Sequence, residues 1–189
     1  MWETMSALAT TIAENWPIWV VTIVLIVAAV IDGFELRVPN LITYPFILAG
    51  WSYSYFAFGL EGLGWSLAGT LLGMSVLMLF YAIGGMGAGD VKLMGGVGAW
   101  IYWTNTYYCI LGFAVIGAVL AVAMVVVRGK WKHHYHQFWV IFHEITVIRD
   151  PEKLSAIAAE RKPTMMLLPY GIPIAIATIG YFLWTGMLV

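Results

Sequence analysis

The sequence predicts an all-α polytopic membrane protein with about six transmembrane helices. Three observations carry that expectation. Hydrophobic residues make up 62% of the 189 residues, against about 45–50% in soluble domains. Charged side chains make up 10%, where a soluble chain carries about 25%. The apolar residues also fall into runs separated by Gly, Pro and charge, and at roughly 20 residues per crossing they suffice for about six spans. Little is left over, so residues 1–189 are expected to form a single membrane-embedded domain.

The first run, 16–32, follows a stretch holding Glu3 and Glu14 and no basic residue. It lacks the positive n-region of a cleaved signal, and is expected to stay as a span. Runs at 41–58 and 64–83 come next, then 91–104, 106–127 and 164–187. The fourth is short: at 1.5 Å per residue it covers about 21 Å of a hydrocarbon core about 30 Å thick. Its first residues should therefore lie inside the membrane boundary.

With six crossings and an external start, the inner segments are those near 33–40, 84–92 and 128–163. Arg37, Lys92, Arg128, Lys130, Lys132, Arg149, Lys153, Arg161 and Lys162 all fall in them, and these are all 9 basic residues of the chain. Glu3, Glu14 and Glu61 fall outside. The positive-inside rule then sets both termini outside a cytoplasmic (inner) membrane. In segment 128–163, Trp131, Tyr135, Phe138, Trp139, Phe142 and Ile145 recur at helical spacing, as on an amphipathic helix lying on the inner face. Asp150-Pro151-Glu152 has the pattern of an N-cap followed by Pro at the first helical position, opening a short helix to about Arg161.

Composition also removes function classes. A formal net charge of -1 without a long basic run is contrary to nucleic-acid binding, which draws its affinity from phosphate neutralisation. One cysteine, Cys109, excludes a disulfide within the chain and a multi-cysteine zinc site. His133, His134, His136 and His143 could be metal ligands, but they lack a neighbouring Cys or a carboxylate-plus-His pattern, and headgroup contact accounts for them equally. No metal and no cofactor is expected.

Ionisable groups in or beside spans are costly, which makes them functional candidates. Asp32 ends the first run, and Asp90 follows the turn Gly84-Gly85-Met86-Gly87-Ala88-Gly89 before the short fourth span. Both fall at the cytoplasmic edge. Two carboxyls in hydrogen-bonding reach cannot both ionise easily and share a proton, as in aspartic proteases, where one takes a proton from water and the other polarises the scissile carbonyl. The bland alternatives are a solvated helix end for Asp32 and helix packing for the glycines; Gly69-Thr70-Leu71-Leu72-Gly73 fits packing. Lys92 could bias Asp90, but basic residues at helix ends commonly anchor at the interface.

Gly85-Met86-Gly87-Ala88-Gly89-Asp90-Val91-Lys92-Leu93-Met94, running on to Gly98-Ala99-Trp100, resembles the GxGD signature of type IV prepilin peptidases. Asp32 followed by Arg37-Val38-Pro39-Asn40-Leu41-Ile42-Thr43 is similar to that family's first-aspartate segment. Leu168-Pro169-Tyr170-Gly171-Ile172-Pro173 resembles its last-span motif. The resemblance implies a GxGD intramembrane aspartic protease fold and cleavage of a short basic leader from prepilins or pseudopilins at the cytoplasmic face. It implies Asp32 and Asp90 as the catalytic pair and Gly87 and Gly89 as shaping the active-site loop. Glu35, beside the path of a basic leader, is a candidate substrate-docking residue.

Larger family members carry a cytoplasmic domain with paired Cys-x-x-Cys motifs and methylate the new N-terminus. With Cys109 alone, this chain looks like the short peptidase-only form of Flp/Tad-type pili, and methyl transfer is not expected. Expected partners are prepilin precursors and the lipid bilayer; oligomeric state is not legible. Two rival readings stand beside this one. A presenilin-like GxGD protease would place its first aspartate in a Tyr-Asp pair, whereas Ile31 precedes Asp32. A proton-coupled transporter would show repeated halves with interrupted helices, and no repeat is visible.

Overall fold

The computed structural model describes residues 15–82, 85–128, 139–140, 143 and 168–188, and among them there is no strand. Among the described residues the bundle is organised by four helices: α1 Trp16–Glu35, α2 Asn40–Ala82, α3 Ala88–Arg128 and α4 Gly171–Trp184. The first three are long and apolar enough to cross a membrane. Most of segment 128–163, with its histidines and its amphipathic pattern, lies outside the described residues, as does the N-terminus.

A proline in the first turn opens α1, where its fixed φ suits a helix start. The helix closes at Leu36, held left-handed at φ 52° and ψ 35°, with its N–H donating to the Asp32 carbonyl at 2.9 Å. A side chain in that conformation costs roughly 1–2 kcal/mol. Asp32 thus sits one turn inside α1 rather than at its end. Pro39 then accepts hydrogen bonds from Ile42 and Thr43 at 3.0 and 3.3 Å and starts α2.

As a straight rod the 43 residues of α2 would reach about 64 Å, twice the hydrocarbon core. The chain instead reverses at Gly59, whose φ of 67° and ψ of -153° suit only a residue without Cβ. The Trp51 Nε1–H donates to Thr70 Oγ1 at 3.0 Å, a pair that a straight helix would hold about 28 Å apart. A second reversal divides α3 at Tyr102, with φ 63° and ψ -179°. Past it, the Phe113 ring returns to 6.2 Å from Tyr170, and Tyr170 lies within electrostatic reach of Asp90. Four helices therefore contain six straight segments: 16–35, 40–58, 60–82, 88–101, 103–128 and 171–184.

These segments lie close to the six expected runs, with shifts of a few residues at their ends; the first ends at Glu35 rather than 32 and the third begins at 60 rather than 64. The break expected near 105 falls at Tyr102, because an aromatic residue carries no sequence signal for positive φ. The short segment begins at Ala88, three residues early, which places Asp90 in its first turn. Of the last run, expected over 164–187, Gly171–Trp184 is helical, while 164–167 lie outside the described residues. Pro169 disfavours helix at Leu168 and lacks an N–H. At the other end, Gly186 at φ 71° terminates α4, with the Met187 N–H bonded to the Phe182 carbonyl at 2.9 Å.

Segment 88–101 is the axis of the bundle: Val91, Leu93, Met94, Val97, Ala99, Trp100 and Ile101 are all buried. Its glycines let the backbone of 60–82 come into contact. A Cβ on Gly98 would collide with the Gly69 carbonyl, one on Gly69 with the Gly98 carbonyl, and one on Gly73 would lie 2.6 Å from the Met94 oxygen. Close backbone approach through small residues is how helices associate in lipid, where apolar burial gives little drive. Buried Ser66, Thr70 and Ser54 face inward, while Phe56, Leu41 and Val127 are each 85% exposed, the inverse of a soluble protein. At the end remote from Asp90, Trp100 stacks on Phe46 and Tyr53 with centroids at 6.0 and 5.5 Å, and its Nε1–H donates to the Phe46 carbonyl at 2.9 Å.

Gly98→Ala forces two backbones apart. It should lower the thermal unfolding midpoint in detergent by an amount equivalent to about 1–3 kcal/mol, whereas Gly64→Ala, where an added Cβ meets nothing within 4 Å, should not. Equal midpoints for the two variants would contradict this packing.

Candidate active site

Asp32 comes from the last turns of α1 and Asp90 from the first turn of α3, yet the fold sets both carboxyls at one end of the bundle, within electrostatic reach of each other. Both are buried, at 2% and 5% exposure. A buried carboxylate needs a cation, hydrogen bonds or a proton. The only ion pair among the described residues joins Arg37 to Glu35, at 2.9 Å and exposed to solvent.

Backbone amides take the place of a cation. The Gly171 N–H, at the start of α4, donates to Asp32 Oδ2 at 2.7 Å; the Gly87 N–H, just before α3, donates to Asp90 Oδ2 at 3.1 Å. Two helix N-termini, each with partial positive charge, thus converge on the pair. Asp90 Oδ1 is buried without a hydrogen-bond partner among the described residues, leaving that oxygen to hold a proton or meet a reacting group. Two carboxyls within electrostatic reach oppose each other's ionisation, so their titrations are coupled.

Glycine makes each of these approaches possible. A Cβ on Gly171 would lie 3.0 Å from both Oδ2 and Cβ of Asp32, and one on Gly87 3.0 Å from Asp90 Oδ2. On Gly89 it would meet the Val38 carbonyl at 2.5 Å, so this glycine seats the loop after α1 against the start of α3. Gly87 and Gly89, named from the sequence, both border Asp90. Gly171 and Tyr170 were not named as site residues, although they lie inside the quoted Leu168–Pro173 motif; spacing shows that a motif exists, but not that its first helical amide points at a carboxylate 139 positions away.

Lys92 does not reach for Asp90. Its Nζ donates to Asn40 Oδ1 at 2.9 Å and stands 4.7 Å over the Tyr44 ring, clamping the start of α3 to the start of α2. Glu35 is exposed and accepts from the Arg37 Nε–H at 2.9 Å. Among the described residues no three His, Cys, Asp or Glu side chains gather as a metal site would require; His143 is exposed, and His133, His134 and His136 lie outside those residues.

The sequence model of the type IV leader peptidase family matches residues 19–122, a stretch that contains both aspartates. The chain belongs to this family. Among curated proteins, the prepilin leader peptidase/N-methyltransferase of Aeromonas hydrophila is 29% identical over 138 residues, covering 68% of this chain and 46% of that protein. Its namesake from Aeromonas salmonicida strain A449 is 29% identical over 140 residues, 70% of this chain and 43% of the relative. The chain spans less than half the length of the curated relatives it matches. No solved structure matches. The family match ends before α4, so the amide that holds Asp32 comes from outside the matched stretch.

Lys92→Met removes one hydrogen bond and one cation–π contact. It should lower stability by about 1 kcal/mol, read as a lower unfolding midpoint in detergent; an unchanged midpoint would show that the clamp contributes nothing.

Proposed function

We propose that this chain is a prepilin leader peptidase: an aspartic endopeptidase of the cytoplasmic membrane that removes the basic leader from prepilins or pseudopilins, with Asp32 and Asp90 as its catalytic pair. The observation that carries the proposal is the meeting of two buried carboxyls, 58 positions apart in sequence, at one end of a membrane bundle in a chain of the leader peptidase family. Charge supports the orientation. Arg37 and Lys92 flank the same end as the aspartates, and 103–128 returns toward that end with Arg128 at its close, as expected for a cytoplasmic face. The whole of 1–189 acts in this reading as one membrane-embedded unit.

The chemistry needs no group beyond the dyad and water. The ionised carboxyl takes a proton from water as the water oxygen bonds to the scissile carbonyl carbon, while the proton held by the other carboxyl passes to the carbonyl oxygen. The tetrahedral intermediate then collapses: the C–N bond breaks as the leaving nitrogen takes a proton from one carboxyl and a hydroxyl of the intermediate returns its proton to the other, which releases a carboxylic acid and an amine and restores the dyad. The amides of Gly87 and Gly171 hold both carboxyls in place throughout, so little reorganisation accompanies the charge movement. Glu35, one turn beyond Asp32 and open to solvent, is positioned to exchange Arg37 for a positive charge of the leader.

Purified protein in detergent, given a prepilin with chelator present, should cleave it; Asp32→Asn and Asp90→Asn should each lower the rate by at least 1,000-fold while remaining folded. Full activity in either folded variant would refute the pairing.

Gly171→Ala pushes a methyl group against the Asp32 carboxyl. It should reduce kcat by roughly 10–100-fold with little change in KM, the pattern of a positioning defect; a wild-type kcat would remove α4 from the active site.

Glu35→Lys should raise KM for a basic leader several-fold and leave a neutralised leader unaffected. Equal kinetics for the two leaders in the variant and the wild type would exclude docking at Glu35.

A further inference from the structure

At the end of the bundle remote from the aspartates, a cavity of about 370 Å³ is lined by Phe58, Glu61, Gly62, Trp65 and Tyr102. Both chain reversals border it: Phe58 and Glu61 stand on either side of Gly59, and Tyr102 is itself the second turn. The Phe58 and Tyr102 rings meet edge to face, with centroids 6.4 Å apart and planes at 79°. Glu61 and Trp65, four positions apart on 60–82, share one helical face. Gly62 lets the two walls come together, since a Cβ there would stand 2.6 Å from the Ser54 carbonyl oxygen and 2.5 Å from the Phe58 Cβ. Three aromatic rings and one carboxylate thus share a single cavity.

We infer that this cavity binds the ammonium headgroup of a zwitterionic membrane lipid. Charge selects a cation. Among the described residues Glu61 has no ion-pair partner: the one pair joins Arg37 to Glu35, and Lys92 is engaged by Asn40 and Tyr44 at the aspartate end. The walls select an organic cation. Aromatic faces attract an ammonium group through their quadrupoles and pack against its alkyl carbons, whereas a hard metal ion requires several oxygen ligands and the cavity offers one carboxylate. Depth selects a lipid. From Asn40 to Phe58 the helix rises about 27 Å, close to the hydrocarbon thickness of about 30 Å, which sets the cavity at the boundary where headgroups lie. Its rim is open there, with Phe58 58% and Trp65 56% exposed. A belt of interfacial aromatics is common in membrane proteins, but such a belt has no use for an unpaired carboxylate at its centre; an ammonium headgroup does. Seated in the cavity, the headgroup touches both reversals at once and ties the remote end of 88–101, the segment that carries Asp90, to the start of 60–82.

The test titrates the purified protein, delipidated in detergent, with short-chain phosphatidylethanolamine, phosphatidylglycerol of the same chain length, or free ethanolamine, and follows the thermal unfolding midpoint, which rises when a ligand binds the folded state. Phosphatidylethanolamine should raise the midpoint saturably, and the other two should need at least tenfold higher concentrations for the same rise. Glu61→Gln and Trp65→Leu, both at exposed positions, should each increase the half-saturating concentration of phosphatidylethanolamine at least fivefold. No rise with phosphatidylethanolamine, equal rises with the two lipids, or wild-type saturation in both variants would overturn the proposal. Free ethanolamine acting at the same concentration as the lipid would overturn the assignment to a lipid. Cleavage is not part of the readout, so failure here leaves the peptidase reading standing.

Discussion

Two carboxyl groups are buried within electrostatic reach of each other, with no cation paired to either among the described residues, and the rest of the fold can be understood as what makes that tolerable. Burying one ionised carboxylate without partners is costly, and a second one nearby adds repulsion. The bundle answers with two backbone amides, from Gly87 and Gly171, each at the N-terminus of a helix whose dipole favours negative charge. Lysine or arginine at the same place would neutralise the pair and fix its protons. Amides support negative charge without pairing it to a fixed cation, so each carboxyl can still gain or lose a proton.

That arrangement demands a short α3 segment at the centre. Asp90 must enter from one boundary of the membrane while its helix remains packed on all sides, so 88–101 is both sub-length and buried. Glycine is the means. At Gly98 the neighbouring helix approaches to backbone contact, at Gly95 the Met74 side chain fills the space of a Cβ, and at Gly87 and Gly89 the loop closes on Asp90 and Val38. The aromatic stack at Trp100 holds the other end of the segment, fixing its depth. The same residue type thus serves packing at one end and chemistry at the other, which is why a glycine count alone does not separate the two.

The sequence made the spans legible because hydropathy is a sum over many residues and tolerates local error. The aspartates were legible because ionisable groups in apolar runs are rare. Tyr102 was not, since positive φ is normally marked by glycine, as at Gly59, and nothing about Tyr in its sequence neighbourhood records the reversal. The role of Gly171 was half visible: a Pro-Tyr-Gly-x-Pro motif announces a helix start, but which carboxylate its first amide meets depends on how α4 packs against α1. Lys92 was read as an interfacial anchor beside an alternative partner in Asp90; the structure gives it Asn40 and Tyr44, a contact between helices that lie 52 positions apart.

The asymmetry of the helix contacts bears on how each aspartate is held. α2 and α3 pack tightly on each other, whereas α1 makes its main contact with α4 and little with α2 or α3. Among the described helices, Asp32 is therefore carried by the most lightly attached one, and its carboxyl is tied back by one amide from α4. The position of Asp90 thus rests on the tight contact of α2 with α3, where the glycines bring backbones together, whereas the position of Asp32 rests on how α1 packs against α4.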